Sequence, residues 1–89
     1  MYILGDIGNT ETKLCIVSKN NKILKKITFI SKSINSNRLN NLFKKNKIQL
    51  NKIEKILFCS VVPITFSIIN KFLSKKILLK WYEVKILNL

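Results

Sequence analysis

The sequence contains no histidine, only two cysteines, two glycines and one proline, and only four acidic residues among 89. Because histidine is absent and Cys15 and Cys59 lie far apart, neither a zinc site nor a disulfide framework is expected. Scarce glycine and proline leave no linker, so residues 1–89 are expected to form one domain. No apolar run approaches the roughly 18–20 residues of a membrane span, and the chain does not open on a basic signal-peptide region. These absences predict a cytoplasmic domain with no membrane partner.

Acidic residues are so few that the formal net charge is +13. Such a charge is typical either of a nucleic-acid-binding surface or of a solvated surface that attracts small anions. Arg38 is the only arginine among the 17 basic residues, whereas base recognition favours arginine. The lysines are also spread along the chain instead of being concentrated on one element. We therefore expect no specific nucleic-acid partner, and the alternative of a basic nucleic-acid-binding domain rests on the lysine count alone.

Apolar spacing and turn residues divide the chain into five strands and two helices. Asparagine tolerates the left-handed conformation, so Asn20-Asn21 predicts a two-residue hairpin. Capping residues at 33–37 begin the first helix, which is expected to end near Asn46, and Pro63 suits the first turn of the second helix. The predicted strands are residues 2–7, 12–18, 22–30, 56–62 and 81–87.

The element order β-β-β-α-β-α-β places the sequence in the α/β class. Right-handed crossovers favour a mixed five-stranded sheet of order 3-2-1-4-5, in which only the second strand is antiparallel. The chain leaves the first and fourth strands toward opposite sides of this sheet. A crevice is therefore expected beyond their carboxyl ends, where open α/β sheets bind ligands. Residues 6–10 and 60–63 end at this crevice.

The turn between the first two strands carries polar residues that suit a phosphate ligand. A hairpin centred between residues 9 and 10 places Asp6 opposite Lys13, with both side chains within reach of one ligand. Gly8 is predicted to take a positive φ, so that the amides of residues 8–11 turn toward an anion, and Thr10 and Thr12 add hydroxyl donors. A carboxylate for hydrated Mg²⁺ and a lysine for phosphate oxygens fit a nucleoside triphosphate. The alternative is an ordinary tight turn with a surface ion pair worth at most about 1 kcal/mol.

Two short motifs resemble those of a known family. The stretch DIGNTETK at residues 6–13 resembles D-x-G-N-T-x-x-K, the first phosphate motif of type III pantothenate kinases. The stretch CSVVP at residues 59–63 resembles S-S-V-V-P of the same family, with Cys59 in place of the first serine. These kinases belong to the actin, sugar kinase and heat-shock chaperone superfamily. The fold that the resemblance implies is a ribonuclease H-like (actin-like ATPase) half-domain, whose strand order is also 3-2-1-4-5.

The resemblance implies transfer of the γ-phosphoryl of ATP to the 4′-hydroxyl of pantothenate, the first step of coenzyme A biosynthesis. It implies Mg²⁺, a monovalent cation (K⁺ or NH₄⁺) and a homodimer. Asp6 is expected to contact the metal through water, Lys13 to contact phosphate oxygens, and residues 8–12 to cradle the phosphates. The predicted phosphate-binding residues are Asp6, Ile7, Gly8, Asn9, Thr10, Glu11, Thr12 and Lys13, with Ser60 and Pro63 as secondary candidates on the crevice wall.

The resemblance covers all 89 residues but only about the first third of the usual chain of the family. Residues 1–89 are expected to be the first half-domain, and they contain neither the second half-domain nor the ligand of the monovalent cation. No residue matches the aspartate that serves the family as general base, since Glu54 and Glu83 lie in no matching motif. The chain alone is thus not expected to be catalytically competent. A decayed or non-catalytic relative, including an accessory transcription factor of the same family, stays an alternative.

Overall fold

The described part of the chain begins with three antiparallel strands, after which helices and strands alternate. The structure is a computed structural model, which describes residues 1–60, 62–77 and 83–86, without the side chains of residues 60 and 83–86. Short 3-10 turns lie at Ser31–Ser33 and Leu50–Lys52. The elements are β1 (Tyr2–Ile7), β2 (Glu11–Val17), β3 (Ile23–Ile30), α1 (Ser36–Lys45), β4 (Lys55–Ser60), α2 (Pro63–Lys76) and β5 (Glu83–Ile86).

The sheet places β1 beside β4 at its centre. Strands β1 and β2 pair antiparallel, as do β2 and β3, whereas β4 pairs with β1 in parallel. The predicted order 3-2-1-4 is therefore confirmed, and with it the change of chain direction between the first and fourth strands. The predicted last strand, residues 81–87, lies partly outside the described residues, and its described part, β5, pairs with β4 in parallel.

The hydrophobic core lies between one face of the sheet and the two helices. Alternating strand residues such as Ile3, Leu14 and Ile56 are fully buried, together with helix residues such as Leu39 and Ile69. The aromatic rings of Phe43 on α1 and Phe72 on α2 meet edge to face, with their centroids 5.3 Å apart. Both crossover helices thus cover the same face of the sheet, and the ends of the strands are left free for a site.

The helix ends follow the predicted capping residues. Asn35 caps α1, because its side-chain Oδ1 accepts a hydrogen bond of 2.9 Å from the backbone N–H of Arg38. Asn46 follows the last residue of α1, and its backbone N–H donates to the carbonyl of Leu42. Pro63 is the first residue of α2, where its missing N–H costs nothing. These three predictions are confirmed.

The second hairpin differs from its prediction in length. Its loop contains three residues between Ser18 and Lys22, since the N–H of Ser18 donates to the carbonyl of Lys22 at 2.9 Å. The prediction of a two-residue loop was therefore wrong. Asn21 does take the left-handed conformation, with φ of 63°, and the register shifts between Ile16 and Val17, where Leu24 of β3 is the extra residue. A left-handed third loop residue followed by a bulge is a common way to close such a hairpin.

Gly5 lies in the middle of β1, directly against an aromatic ring. A Cβ at this position would lie 2.7 Å from Cδ1 and Cε1 of Phe58. Phe58 is fully buried and packs edge to face on Phe66, with centroids 5.0 Å apart, so its ring has little room to move. We expect Gly5→Ala to lower the free energy of unfolding by about 1–3 kcal/mol, measured by denaturant titration.

A double variant tests the cause of that loss. Leucine at position 58 leaves room for the added Cβ, so Gly5→Ala and Phe58→Leu together should cost less than the sum of the two single losses, with a coupling of about 0.5–3 kcal/mol. If the stability losses of the two single variants are additive, contact with the Phe58 ring is not the reason why position 5 requires glycine.

Candidate functional site

The candidate site is the turn of residues 8–10, which joins β1 to β2 beyond the carboxyl end of β1. Gly5 pairs with Phe58 on β4, but Asp6 pairs with Ser60, so the register shifts by one residue and Cys59 is the extra residue. Bulges of this kind are frequent beside active sites because they redirect the end of a strand. The bulge brings the backbone of Ser60 beside Asp6 at the mouth of the predicted crevice.

Asp6 and Lys13 are direct cross-strand partners, as the sequence predicts. Ile7 pairs with Thr12 in the next position of the same register. Opposed residues of antiparallel strands have Cβ atoms about 4.5–5.5 Å apart. The side chains of Asp6 and Lys13 are exposed, whereas Ile7 and Thr12 are buried. One face of this hairpin therefore presents a carboxylate and an ammonium group together to solvent, and the other face belongs to the core.

Gly8 occupies the turn for a reason different from the predicted one. No glycine in the described residues has a positive φ, so the prediction for Gly8 was wrong. Its N–H donates a 3.0 Å hydrogen bond to the carbonyl of Glu11, and a Cβ on Gly8 would lie 2.9 Å from that same oxygen. Glycine is needed for this close approach of two backbones. Since the Gly8 amide is engaged within the turn, it does not contribute to the predicted set of anion-binding amides.

The tip of the turn remains open to solvent. Asn9, Thr10 and Glu11 are exposed. Apart from the regular hydrogen bonds between paired strands, no backbone carbonyl in residues 1–60 accepts a hydrogen bond from the N–H of Asn9 or of Thr10. These two amides and the exposed ammonium group of Lys13 are the donors that the turn presents to an anion.

Thr12 points into the protein. Its side chain has no exposed surface, and its Oγ1 lies 2.8 Å from Oγ of Ser31, which is 3% exposed. Ser31 Oγ in turn donates to the carbonyl of Gly8 at 2.6 Å. The hydroxyl of Thr12 therefore supports the turn from the core side, instead of facing a ligand as the sequence reading expects.

Ser31 was not among the residues predicted for the site. It follows β3 directly, and its N–H donates to the carbonyl of Thr10 at 2.9 Å. Glu11 pairs with Ile30 at the end of the β2–β3 ladder, so the register continued by one residue places Ser31 opposite Thr10. That count was the signal in the sequence that points to Ser31.

The secondary candidates lie on the other side of the crevice. The backbone of Ser60 pairs with Asp6, but the side chain of Ser60 lies outside the described part of the structure. Pro63 is exposed at the beginning of α2, where Val62 is the N-cap and offers no side-chain hydrogen bond. A role of either residue toward a ligand stays a prediction. Both cysteines are free thiols and are only partly buried.

Asp6 is the only aspartate of the chain. No group of three or more histidine, cysteine, aspartate or glutamate side chains that could hold a metal ion occurs among the residues described. Nor does any helix in the described ranges combine the length and hydrophobicity needed to span a membrane. The carboxylates of the hairpin are those of Asp6 and Glu11, so a divalent cation at the turn would take most of its ligands from elsewhere.

Comparison with known proteins agrees with the two motifs. The family model described as type III pantothenate kinase matches residues 2–87. A type III pantothenate kinase of Pelagibacter ubique is 44% identical over all 89 residues, which correspond to 36% of its own length. The chain therefore spans about a third of that curated relative.

A solved structure shares the fold. A protein of Porphyromonas gingivalis assigned as an N-acetylglucosamine kinase superposes with a TM-score of 0.57 over 97% of this chain and 34% of its own, at 21% identity. This likeness shows a shared mixed α/β fold. The family match over residues 2–87 and the identity to the Pelagibacter ubique protein place the chain in the family that the motifs predict. The chain belongs to the type III pantothenate kinase family.

Proposed function

We propose that residues 1–89 are the phosphate-binding half-domain of a type III pantothenate kinase, which transfers the γ-phosphoryl of ATP to the 4′-hydroxyl of pantothenate. The observation that carries this proposal is the cross-strand pair of Asp6 and Lys13 at the open end of the β1–β2 turn. A lone surface pair would also satisfy this geometry. The family match, the adjacent bulge and the position at the switch point of the sheet together favour the phosphate site.

In this proposal the turn binds one side of the triphosphate. The ammonium group of Lys13 contacts phosphate oxygens, and the open amides of Asn9 and Thr10 add hydrogen-bond donors. Such contacts stabilise the negative charge that shifts among the phosphate oxygens during phosphoryl transfer. This stabilisation and the positioning of the reactants are most of what the reaction needs from the protein. Residues 7–12 thus contribute mainly backbone, and Thr12 contributes its buried hydroxyl to the support of that backbone.

Magnesium fits the donor set at the turn. Mg²⁺ in nucleotide sites keeps several waters and binds one or two carboxylates together with substrate phosphates. Asp6 can supply the carboxylate, directly or through water, and waters and the phosphates of ATP would supply the other ligands. When bound, the metal would neutralise charge on the β- and γ-phosphate oxygens. A monovalent cation, K⁺ or NH₄⁺, is part of the proposal, but no residue of 1–89 is assigned to it.

The remaining parts of the proposal concern the assembly. The sheet order and the sugar kinase-like neighbour support a ribonuclease H-like half-domain with five strands, which a second half-domain completes over the nucleotide. The proposal includes a cytoplasmic homodimer. A sequence-specific nucleic-acid partner is not part of it, because the described lysines are spread over every element of the fold except β1 and Arg38 is the only arginine.

A chimera tests the proposal. Residues 1–89 replace the aligned segment of the Pelagibacter ubique kinase, and ATP-dependent phosphorylation of pantothenate is measured. We expect the chimera to be active, because the replaced segments are 44% identical and share the turn motif of the family. A chimera that is folded by circular dichroism yet inactive would instead support the non-catalytic relative.

A further inference from the structure

We propose that Ser31 is a positioning residue that orients the phosphate-binding turn, an inference that rests on the proposed function of that turn. Ser31 begins the 3-10 turn after β3 and is 3% exposed. It makes contacts with three residues of the hairpin, namely Gly8, Thr10 and Thr12. Thus one buried serine on a neighbouring segment holds both sides of the turn.

The direction of the side-chain hydrogen bonds follows from proton counting. The carbonyl of Gly8 can only accept, so the single hydroxyl proton of Ser31 is donated to it at 2.6 Å. In the 2.8 Å contact between the two hydroxyls, Thr12 must therefore be the donor and Ser31 the acceptor. The result is a chain from Thr12 O–H through Ser31 O–H to the Gly8 carbonyl. Hydrogen bonds linked in series polarise and strengthen one another.

This arrangement sets the direction of the amides that would meet a phosphate. In a trans peptide the C=O and the following N–H point in opposite directions within one plane. Since Ser31 Oγ binds the carbonyl of Gly8, the N–H of Asn9 points away from Ser31. Since the N–H of Ser31 binds the carbonyl of Thr10, the N–H of Glu11 also points away from Ser31. Ser31 thus binds two carbonyls on one side of the turn and directs the N–H of Asn9, one of the two open donors at the tip, to the other side.

The matched control lies two residues further on. Ser33 belongs to the same 3-10 turn, but it is exposed, and its Oγ donates to Ile30 and accepts from Arg38 Nη1 instead of contacting the hairpin. Ser33→Ala removes the same hydroxyl from the same segment without touching the turn. Its effect should be limited to a small change in stability.

A double variant separates positioning from stability. Ser31→Ala leaves the buried Thr12 hydroxyl without its acceptor, which is destabilising, whereas Ser31→Ala with Thr12→Val removes both hydroxyls and should recover much of the stability. The Gly8 carbonyl lacks its donor in both variants. If Ser31 positions the turn, the double variant regains stability without regaining turn order. If its role is only structural, stability and turn order recover together.

The experiment is ¹⁵N NMR of the 89-residue chain, with Mg–ATP as the ligand. We expect the order parameter of the Asn9 amide to fall from about 0.85 to below about 0.6 in Ser31→Ala and in the double variant, and the Kd for Mg–ATP to rise about tenfold in both. Ser33→Ala should match the wild type. An unchanged Asn9 order parameter in Ser31→Ala would overturn the inference. If the turn loosens but the wild type binds no Mg–ATP, the proposed function fails while the positioning of the turn by Ser31 stands.

Discussion

Replacing Lys13 by alanine in the active chimera is expected to lower kcat for pantothenate phosphorylation by about 10²–10³-fold. Lys13 is exposed beside Asp6 at the open face of the hairpin, where its ammonium group can contact phosphate oxygens throughout the transfer. Removal of one preorganised hydrogen-bond donor to an oxygen that gains negative charge in the transition state typically lowers kcat by about this factor. The measurement is steady-state kinetics with varied ATP, on a variant whose unfolding midpoint is unchanged.

Asp6→Asn should cause a comparable loss, because the amide keeps the shape of the side chain but not the charge that favours a hydrated Mg²⁺. The loss should be partly relieved by Mn²⁺, which is the outcome that separates a metal role from a structural one. Matched controls remove the same charges elsewhere. Lys25→Ala acts at the far end of β2 and β3, and Glu54→Gln acts on an exposed carboxylate 3.9 Å from Lys19 Nζ. Normal turnover in Lys13→Ala would show that the turn does not bind the phosphates as proposed.

The isolated 89-residue chain is expected to phosphorylate pantothenate at least about 10²–10⁴-fold more slowly than the chimera. Residues 1–89 contain no residue in the motif of the general base, and a positioned base typically contributes a factor of this size. The turn also contacts only one side of the nucleotide, so nothing in residues 1–89 is assigned to exclude water or to align the attacking hydroxyl.

The comparison is made with equal molar amounts of chain and chimera, by transfer of ³²P from ATP. Addition of the separately produced remainder of the Pelagibacter ubique kinase provides the control, since activity regained in trans would show that the chain was folded and competent to assemble. Turnover by the chain alone at the rate of the chimera would contradict the division of roles proposed for the half-domains.

The sequence alone predicts the geometry of the β1–β2 turn well, because the register of this hairpin depends on strong local signals. Alternating apolar residues set the strands, and the hairpin between residues 9 and 10 then requires Asp6 to oppose Lys13. The nearly continuous apolar run before Pro63 similarly predicts a central strand buried on both faces. β4 is found beside β1, but Leu57 and Cys59 on its second face are only partly buried. The two family motifs lie on these same residues, so the motifs and the predicted fold indicate the same turn.

The support of the turn is less predictable, because it depends on contacts between distant segments. Gly8 is glycine because a Cβ would collide with the Glu11 carbonyl, and a sequence pattern does not distinguish that close approach from a positive φ. The burial of Thr12 follows from its place on the inner face, which the register does predict. The register also places Ser31 opposite Thr10, but the contact of the Ser31 side chain with Thr12 and Gly8 depends on how the segment after β3 turns, and no local signal shows this.

The bulge is a further case of a long-range effect. Cys59 is an extra residue in β4 relative to β1, and the uninterrupted apolar run gives no sign of it. Its consequence is that Ser60, and not Cys59, pairs with Asp6. The bulge therefore places Ser60 of the second motif at the crevice position that Cys59 would occupy in a regular strand.

Binding of the ATP phosphates by the turn of residues 6–13 is measured by titrating the ¹⁵N-labelled chain with Mg–ATP and following the backbone amides by NMR. We expect the largest shift changes at the amides of residues 8–13, saturable in wild type and weakened by Lys13→Ala but not by Lys25→Ala. A titration with adenosine alone should leave these amides unchanged. Shifts spread evenly over the lysine-bearing surface, or equal in both lysine variants, would show that the turn is not the phosphate-binding site.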